Sequence, residues 1–290
     1  MPQTPLPGAR YGDTAEGEAN LGGARRTGLA KRSRWIIAFT LACALAAYFL
    51  PATPQPIEYH DFADHRTFLE VHNFLDVASN AGFLLVAIAG LIVTLRARTS
   101  FELAPERLPY AVFFIGVLLT AAGSAYYHLA PDNQRLFWDR LPMTIAFMAL
   151  IAAQVADRIS VRLGLALLAP LLIVGLASVL YWRATEQAGA GNVVPYGVLQ
   201  AYAVVMLLLI ALSQPSRYTR GSDVYWVFAA YVAAKLFELV DAPVLALGHL
   251  VSGHTLKHVA AAVGGLVVCR MLLLRHSKAT AAPTRGRPSE

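Results

Sequence analysis

Residues 108–128 read LPYAVFFIGVLLTAAGSAYYH, twenty-one positions with no acidic residue, lysine or arginine, closing on Ser124 and His128. A helix needs ~20 mostly apolar residues to cross a bilayer, so the stretch predicts a transmembrane helix with a serine and a histidine at one end. Apolar blocks of similar size lie on both sides of it, at about 35–50, 74–95, 137–156, 163–182, 195–213, 224–247 and 254–274. Across all 290 residues, 57% are hydrophobic and 14% charged, against about 25% charged in a typical soluble domain. The pattern predicts an all-α, polytopic transmembrane helix bundle with a seven-helix core and one extra N-terminal span.

The organisation follows from those blocks. Residues 1–34 are rich in Gly, Ala, Thr and Arg and poor in large apolar residues, which predicts a disordered basic tail. Residues 35–50 form the extra span. The basic stretch before it, and the lack of a small-x-small cleavage site after it, favour a retained helix over a cleaved signal sequence. Residues 51–275 form the seven-helix domain, and 276–290 a short polar tail. The net charge of +6 is carried at helix ends and tails. That placement points to lipid headgroups and away from nucleic acid. Cys43 and Cys269 both lie inside apolar blocks and offer neither a disulfide framework nor a CxxC metal pair.

Orientation is read from Lys and Arg. With a cytoplasmic N-terminus, the tails and alternate loops place Arg96, Arg98, Arg107, Arg158, Arg162, Arg217 and Arg220 inside, and only Arg66, Arg135, Arg140 and Arg183 outside. This is the asymmetry of the positive-inside rule. It puts both termini in the cytoplasm of an inner-membrane protein. It also carries His128, Asp139, His254, His258 and the loop bearing Asp61, Asp64 and Asn73 to the outer face, at one membrane depth.

The most specific local pattern is Gly253-His254-Thr255-Leu256-Lys257-His258. Residues four apart share a helix face, and two imidazoles at that spacing can hold one metal ion, as on HExxH helices, although the glutamate is absent here. Catalytic zinc sites use three protein ligands and an open fourth position. His128, at the same depth on another helix, is the expected third ligand. The competing reading is a set of interfacial histidines bonded to headgroups or backbone. Ser124, one turn before His128, is a candidate oxyanion donor or simply a small residue that eases helix packing. Asp139 is a candidate base or a partner to a ligating imidazole. Otherwise it forms a surface ion pair with Arg135 or Arg140. Lys235, Glu238 and Asp241 make a polar stripe that lines a wet cavity or neutralises itself, and His249 is a loop histidine near the site.

Taken together, Ser124-x3-His128, Trp138-Asp139-Arg140 and His254-x3-His258 resemble the alkaline ceramidases. These belong to a wider superfamily of seven-helix membrane hydrolases related to the progestin and adipoQ receptors. Tyr59-His60-Asp61-Phe62-Ala63-Asp64 and Asn73-Phe74-Leu75-Asp76-Val77-Ala78-Ser79-Asn80 resemble the start of the bacterial branch. The resemblance spans about residues 59–275. It implies hydrolysis of the N-acyl amide of a membrane lipid such as ceramide, with fatty acid and a sphingoid base as products. It also implies zinc on His128, His254 and His258, with Ser124 and Asp139 as catalytic residues. A calcium site is implied at Asp61, Asp64 and Asn73, although Asn73 and Arg66 stand where the eukaryotic enzymes have other residues. Neighbouring expectations are an esterase or phospholipase on the same metal site, and a receptor in which zinc is structural. A transporter reading lacks the internal repeats such proteins often carry.

Overall fold

A computed structural model describes residues 34–96 and 100–279. The expected N-terminal tail, Arg98 and most of the C-terminal polar tail lie outside the described residues. Among those described, the chain is helical with no strand: α1 (Arg34–Phe49), α2 (Phe74–Ala78), α3 (Ala81–Arg96), α4 (Arg107–Leu129), α5 (Asn133–Arg158), α6 (Val161–Gln187), α7 (Val194–Ser213), α8 (Asp223–Leu239), α9 (Asp241–Gly248) and α10 (Gly253–Leu274). Six segments are long and apolar enough to cross a membrane: Phe74–Arg96, Ala104–Leu129, Asn133–Arg158, Val161–Gln187, Val194–Ser213 and Gly253–Leu274. A helix satisfies its own backbone donors and acceptors, which is the condition for standing in lipid. α1 is apolar but shorter.

α5 is the hub. Of its apolar window 61% is buried, against 28% for α6. α5 packs most extensively on α4 and α6, and α8 packs on α10. The α4–α5 approach depends on Gly123, where a Cβ would stand 2.0 Å from the carbonyl oxygen of Trp138. The start of α5 is capped by Asp132, whose side chain accepts from the Arg135 amide, as N-cap aspartates do.

Two expected spans are interrupted, and both breaks serve the site. Residues 74–95 form two helices divided at Ser79-Asn80, with the Asn80 amide donating to the Asp76 carbonyl at 2.8 Å. The expected 224–247 span also stops and restarts, at Val240, giving α8 and α9. Pro243 explains where. Its ring displaces the carbonyl four residues back, that of Leu239, which is the last residue of α8. Asp241, expected on a continuous polar stripe with Lys235 and Glu238, instead opens α9 and turns its carboxylate to two backbone amides.

The end of the bundle away from the histidines is held by a polar network. Arg158 donates to Gln154 and to the carbonyls of Gln214 and Gly221, Asp157 accepts from Ser216, and Arg217 pairs with Glu102 and Glu106. Residues 276–279, expected to begin the tail, are tied into this end through Tyr218–Ser277 and Arg217–Lys278 backbone pairing.

Candidate metal centre

His128 stands in the last turn of α4, and His254 and His258 in the first two turns of α10. All three are buried. α10 starts where it does because Ser252 caps it, accepting from the Thr255 amide at 3.1 Å. Gly253 lets the helix start press on the end of α8, where a Cβ would meet the Phe237 carbonyl oxygen at 2.3 Å. Asp241 then accepts from the His254 amide at 2.7 Å and from the Ala63 amide at 2.9 Å. One carboxylate thereby ties the 61–64 loop, α9 and the helix carrying two of the histidines.

The three imidazoles converge. Ring centroids are 4.8–4.9 Å apart in every pair, and one candidate ligand atom from each lies within 4.8 Å of the others. Nε2 of His128 and Nε2 of His254 are 3.3 Å apart. Two nitrogens, each ~2.0–2.1 Å from a shared tetrahedral ion, stand roughly 3.3–3.4 Å apart. The His128–His254 pair therefore has the spacing of two ligands on one tetrahedral ion, and His258 lies close enough to be the third. His258 Nδ1 meets Ser79 Oγ at 2.8 Å, leaving Nε2 to face the other rings. Metal-bound imidazoles are commonly oriented by such a bond on the far nitrogen. Phe62 closes the site, its ring 4.7 Å from that of His128 and 4.3 Å from that of His254. His128 Nδ1 is buried without a protein partner.

Beside the histidines lies a cavity of about 400 Å³ between α4, α5, α7, α8 and α10, within the range of small-molecule sites. Most of its wall is apolar, including Phe113, Val117, Leu150, Leu207 and Phe228. Its polar residues include Ser124, Asp139, Lys257 and His258. Ser124 and Asp139 both line this wall, the serine within polar reach of the carboxylate. Among the described residues Asp139 forms no ion pair. Arg135 lies over the Tyr126 ring, and Arg140 over Tyr59, Trp182 and Tyr196. The surface ion-pair reading of Asp139 thus gives way to a carboxylate facing a cavity. Glu238 accepts from Lys257 at 2.6 Å and from Lys235, bridging α8 to α10.

The residues expected for calcium are engaged separately. Asp61 is exposed, with His65 3.4 Å away. Asp64 is buried, and its two oxygens receive Arg66 Nε at 2.7 Å and Nη2 at 2.6 Å. Arg66 holds the Asp64 carboxyl below the usual range, chiefly through that hydrogen bond. Asn73 donates its amide to the His128 carbonyl oxygen at 3.0 Å, which supports the helix end carrying a metal-type ligand. His249 is exposed at the end of α9. Its carbonyl accepts from Arg66.

Several contributors carry no sequence pattern of their own. Ser79 and Asp76 sit at the α2–α3 break. Asp76 is fully buried and accepts from Thr255 Oγ1 at 2.7 Å. The motif stretch 73–80 marked the region, but only the break at Ser79 shows which hydroxyl meets which imidazole. No family model matches the chain, and no curated protein matches it either.

Proposed function

We propose that this chain is a zinc-dependent membrane amidohydrolase that cleaves the N-acyl bond of ceramide-type lipids, as its resemblance to the alkaline ceramidases implies. One observation carries the reading. Three buried, converging imidazoles adjoin Ser124 and Asp139 at a cavity whose wall is mostly apolar. Zinc, held by His128, His254 and His258, would supply Lewis acidity and a water of lowered pKa.

The chain's own residues account for the rest. Asp139, which forms no ion pair among the described residues, is available to take a proton from water as its oxygen adds to the amide carbonyl carbon. The C–N bond then breaks, and the same carboxyl returns the proton to the departing nitrogen. Ser124 lies within polar reach of that carboxylate. Its hydroxyl can donate to the carbonyl oxygen as charge builds there. The apolar wall takes the acyl chain and excludes bulk water. A bilayer lipid presents its amide just below the headgroup, which suits a polar site at one end of the helices.

Fatty-acid release by detergent-purified protein tests the substrate class. The account expects release from an acyl amide such as a C18 ceramide, and slower release from a matched acyl ester. Release from the ester alone would replace the amidase by an esterase on the same site.

A further inference from the structure

Arg140 is buried, yet it makes one side-chain hydrogen bond, from Nη2 to Gln55 Oε1 at 2.7 Å. Its Nη1 is buried and has no partner, and the residue lines the cavity. The guanidinium is stacked among three rings, 4.6 Å from Trp182, 4.8 Å from Tyr196 and 5.3 Å from Tyr59. Arg158, buried at the opposite end, is by contrast saturated by Gln154 and backbone carbonyls and does not line the cavity.

Charge in the cavity wall is unbalanced. Arg140, Lys235 and Lys257 face Asp139 and Glu238. Glu238 is taken by both lysines, and Asp139, the residue before Arg140, makes no ion pair with it among the described residues. Glu186, on the neighbouring α6, accepts from the Gln55 amide and from Trp182 Nε1. It forms no ion pair with Arg140 among the described residues. Arg140 is therefore a lining cation held in no ion pair among the described residues, with an open N–H. A buried guanidinium with an open N–H fits an anion well, and leaving it unpaired in an apolar wall is costly.

We propose that Arg140 anchors an anionic group, a carboxylate or a phosphate, on the amine side of the lipid. Acyl lipids with an acidic head are then preferred over neutral ceramides. The proposal rests on the amidohydrolase reading for the position of the scissile bond. It rests on the cavity alone for the anion.

Binding is measured first, on zinc-free protein in neutral detergent, through tryptophan fluorescence, since Trp182 lies against the guanidinium. N-oleoylglycine, N-oleoylphosphoethanolamine and N-oleoylethanolamine supply a carboxylate, a phosphate and a neutral head. Wild type is expected to bind at least one anionic lipid about tenfold or more tighter than the neutral one. Arg140→Gln is expected to collapse that ratio toward one, and Arg140→Lys to keep part of it. The stronger anionic arm identifies the headgroup. Equal affinity for all three lipids in wild type overturns the proposal. So does a ratio unchanged in Arg140→Gln, or an equal loss for all three lipids with a lowered melting point, which makes Arg140 a stacking pillar. If Arg140→Gln does not fold, the wild-type ratio and Arg140→Lys decide. Fatty-acid release from the same lipids by zinc-loaded protein separates the two readings. Selective binding without release keeps the anion site and removes the amidase. Release without charge preference does the reverse.

Discussion

Ser79 holds the His258 ring by its Nδ1. Its hydroxyl proton goes to the Asp76 carbonyl oxygen at 3.1 Å, and its oxygen stands 2.8 Å from His258 Nδ1. With the hydroxyl donating to Asp76, the oxygen accepts from Nδ1–H, the tautomer that turns the Nε2 lone pair toward His128 and His254. Partners of this kind tune metal affinity by ~10–100-fold. Ser79→Ala should lower zinc affinity by about that factor, as read by competition with a chelator. Unchanged affinity would mean that His258 is not oriented through Ser79.

Asp139 separates an enzyme from a receptor with structural zinc. Asp139→Asn keeps the size of the side chain and removes the base. Hydrolysis should fall by about 10²–10⁴-fold, the usual contribution of a positioned acid–base group, while zinc content stays at the wild-type level. Loss of zinc together with activity would show that the carboxylate supports the metal centre instead.

Gly123 and Gly253 are the two close approaches that bring the site together. A Cβ at Gly123 would press on the Trp138 carbonyl, and one at Gly253 on the Phe237 carbonyl and Asp241. Backbone atoms cannot swing away as side-chain ends do. Gly123→Ala and Gly253→Ala should each cost about 1–3 kcal/mol, in line with overpacked cores, and lower the thermal midpoint in detergent. A midpoint equal to wild type would mean that α4 and α5, or α8 and α10, separate freely.

Arg66 staples two loops beside the metal centre. It binds both oxygens of Asp64 and reaches the carbonyls of His249 and Leu250 at 3.0 and 2.8 Å. Because Arg66 lowers the folded-state pKa of Asp64, the pair's contribution is fully present above the ordinary carboxylate value of ~3.9. It is lost as pH falls through the lowered folded value. The midpoint gap between wild type and Arg66→Gln should therefore hold near neutrality and narrow below about pH 4. A gap that stays constant into acid would show that the carbonyl contacts alone hold the loops.

Much of this architecture is legible in sequence. Apolar run length gives the helices, and i,i+4 spacing gives His254 and His258 one face. Shared membrane depth adds His128 and Asp139. Apolar run length alone predicts one helix over 224–247 and does not show the break at Val240. Pro243, with its effect on the Leu239 carbonyl, is the signal that stops it. Ser79, Asp76, Phe62 and Arg140 draw their roles from tertiary approach. A hydroxyl in a helix break, a ring over two imidazoles and an arginine among three aromatics have no periodicity. Asp64 shows the converse. Its sequence position suggests a cation ligand, and in the fold its two oxygens receive the neighbouring Arg66.

The most direct measurement is metal content with hydrolysis on one detergent-purified sample, wild type beside His254→Ala. The account predicts about one zinc per chain, as three histidines with an open fourth position would hold, with fatty acid released from an acyl-amide lipid. Both should be lost in the variant while its helical content is kept. Wild-type protein that takes up no zinc after reloading would contradict the account, and the triad would then be a hydrogen-bonded histidine cluster within a helical membrane bundle.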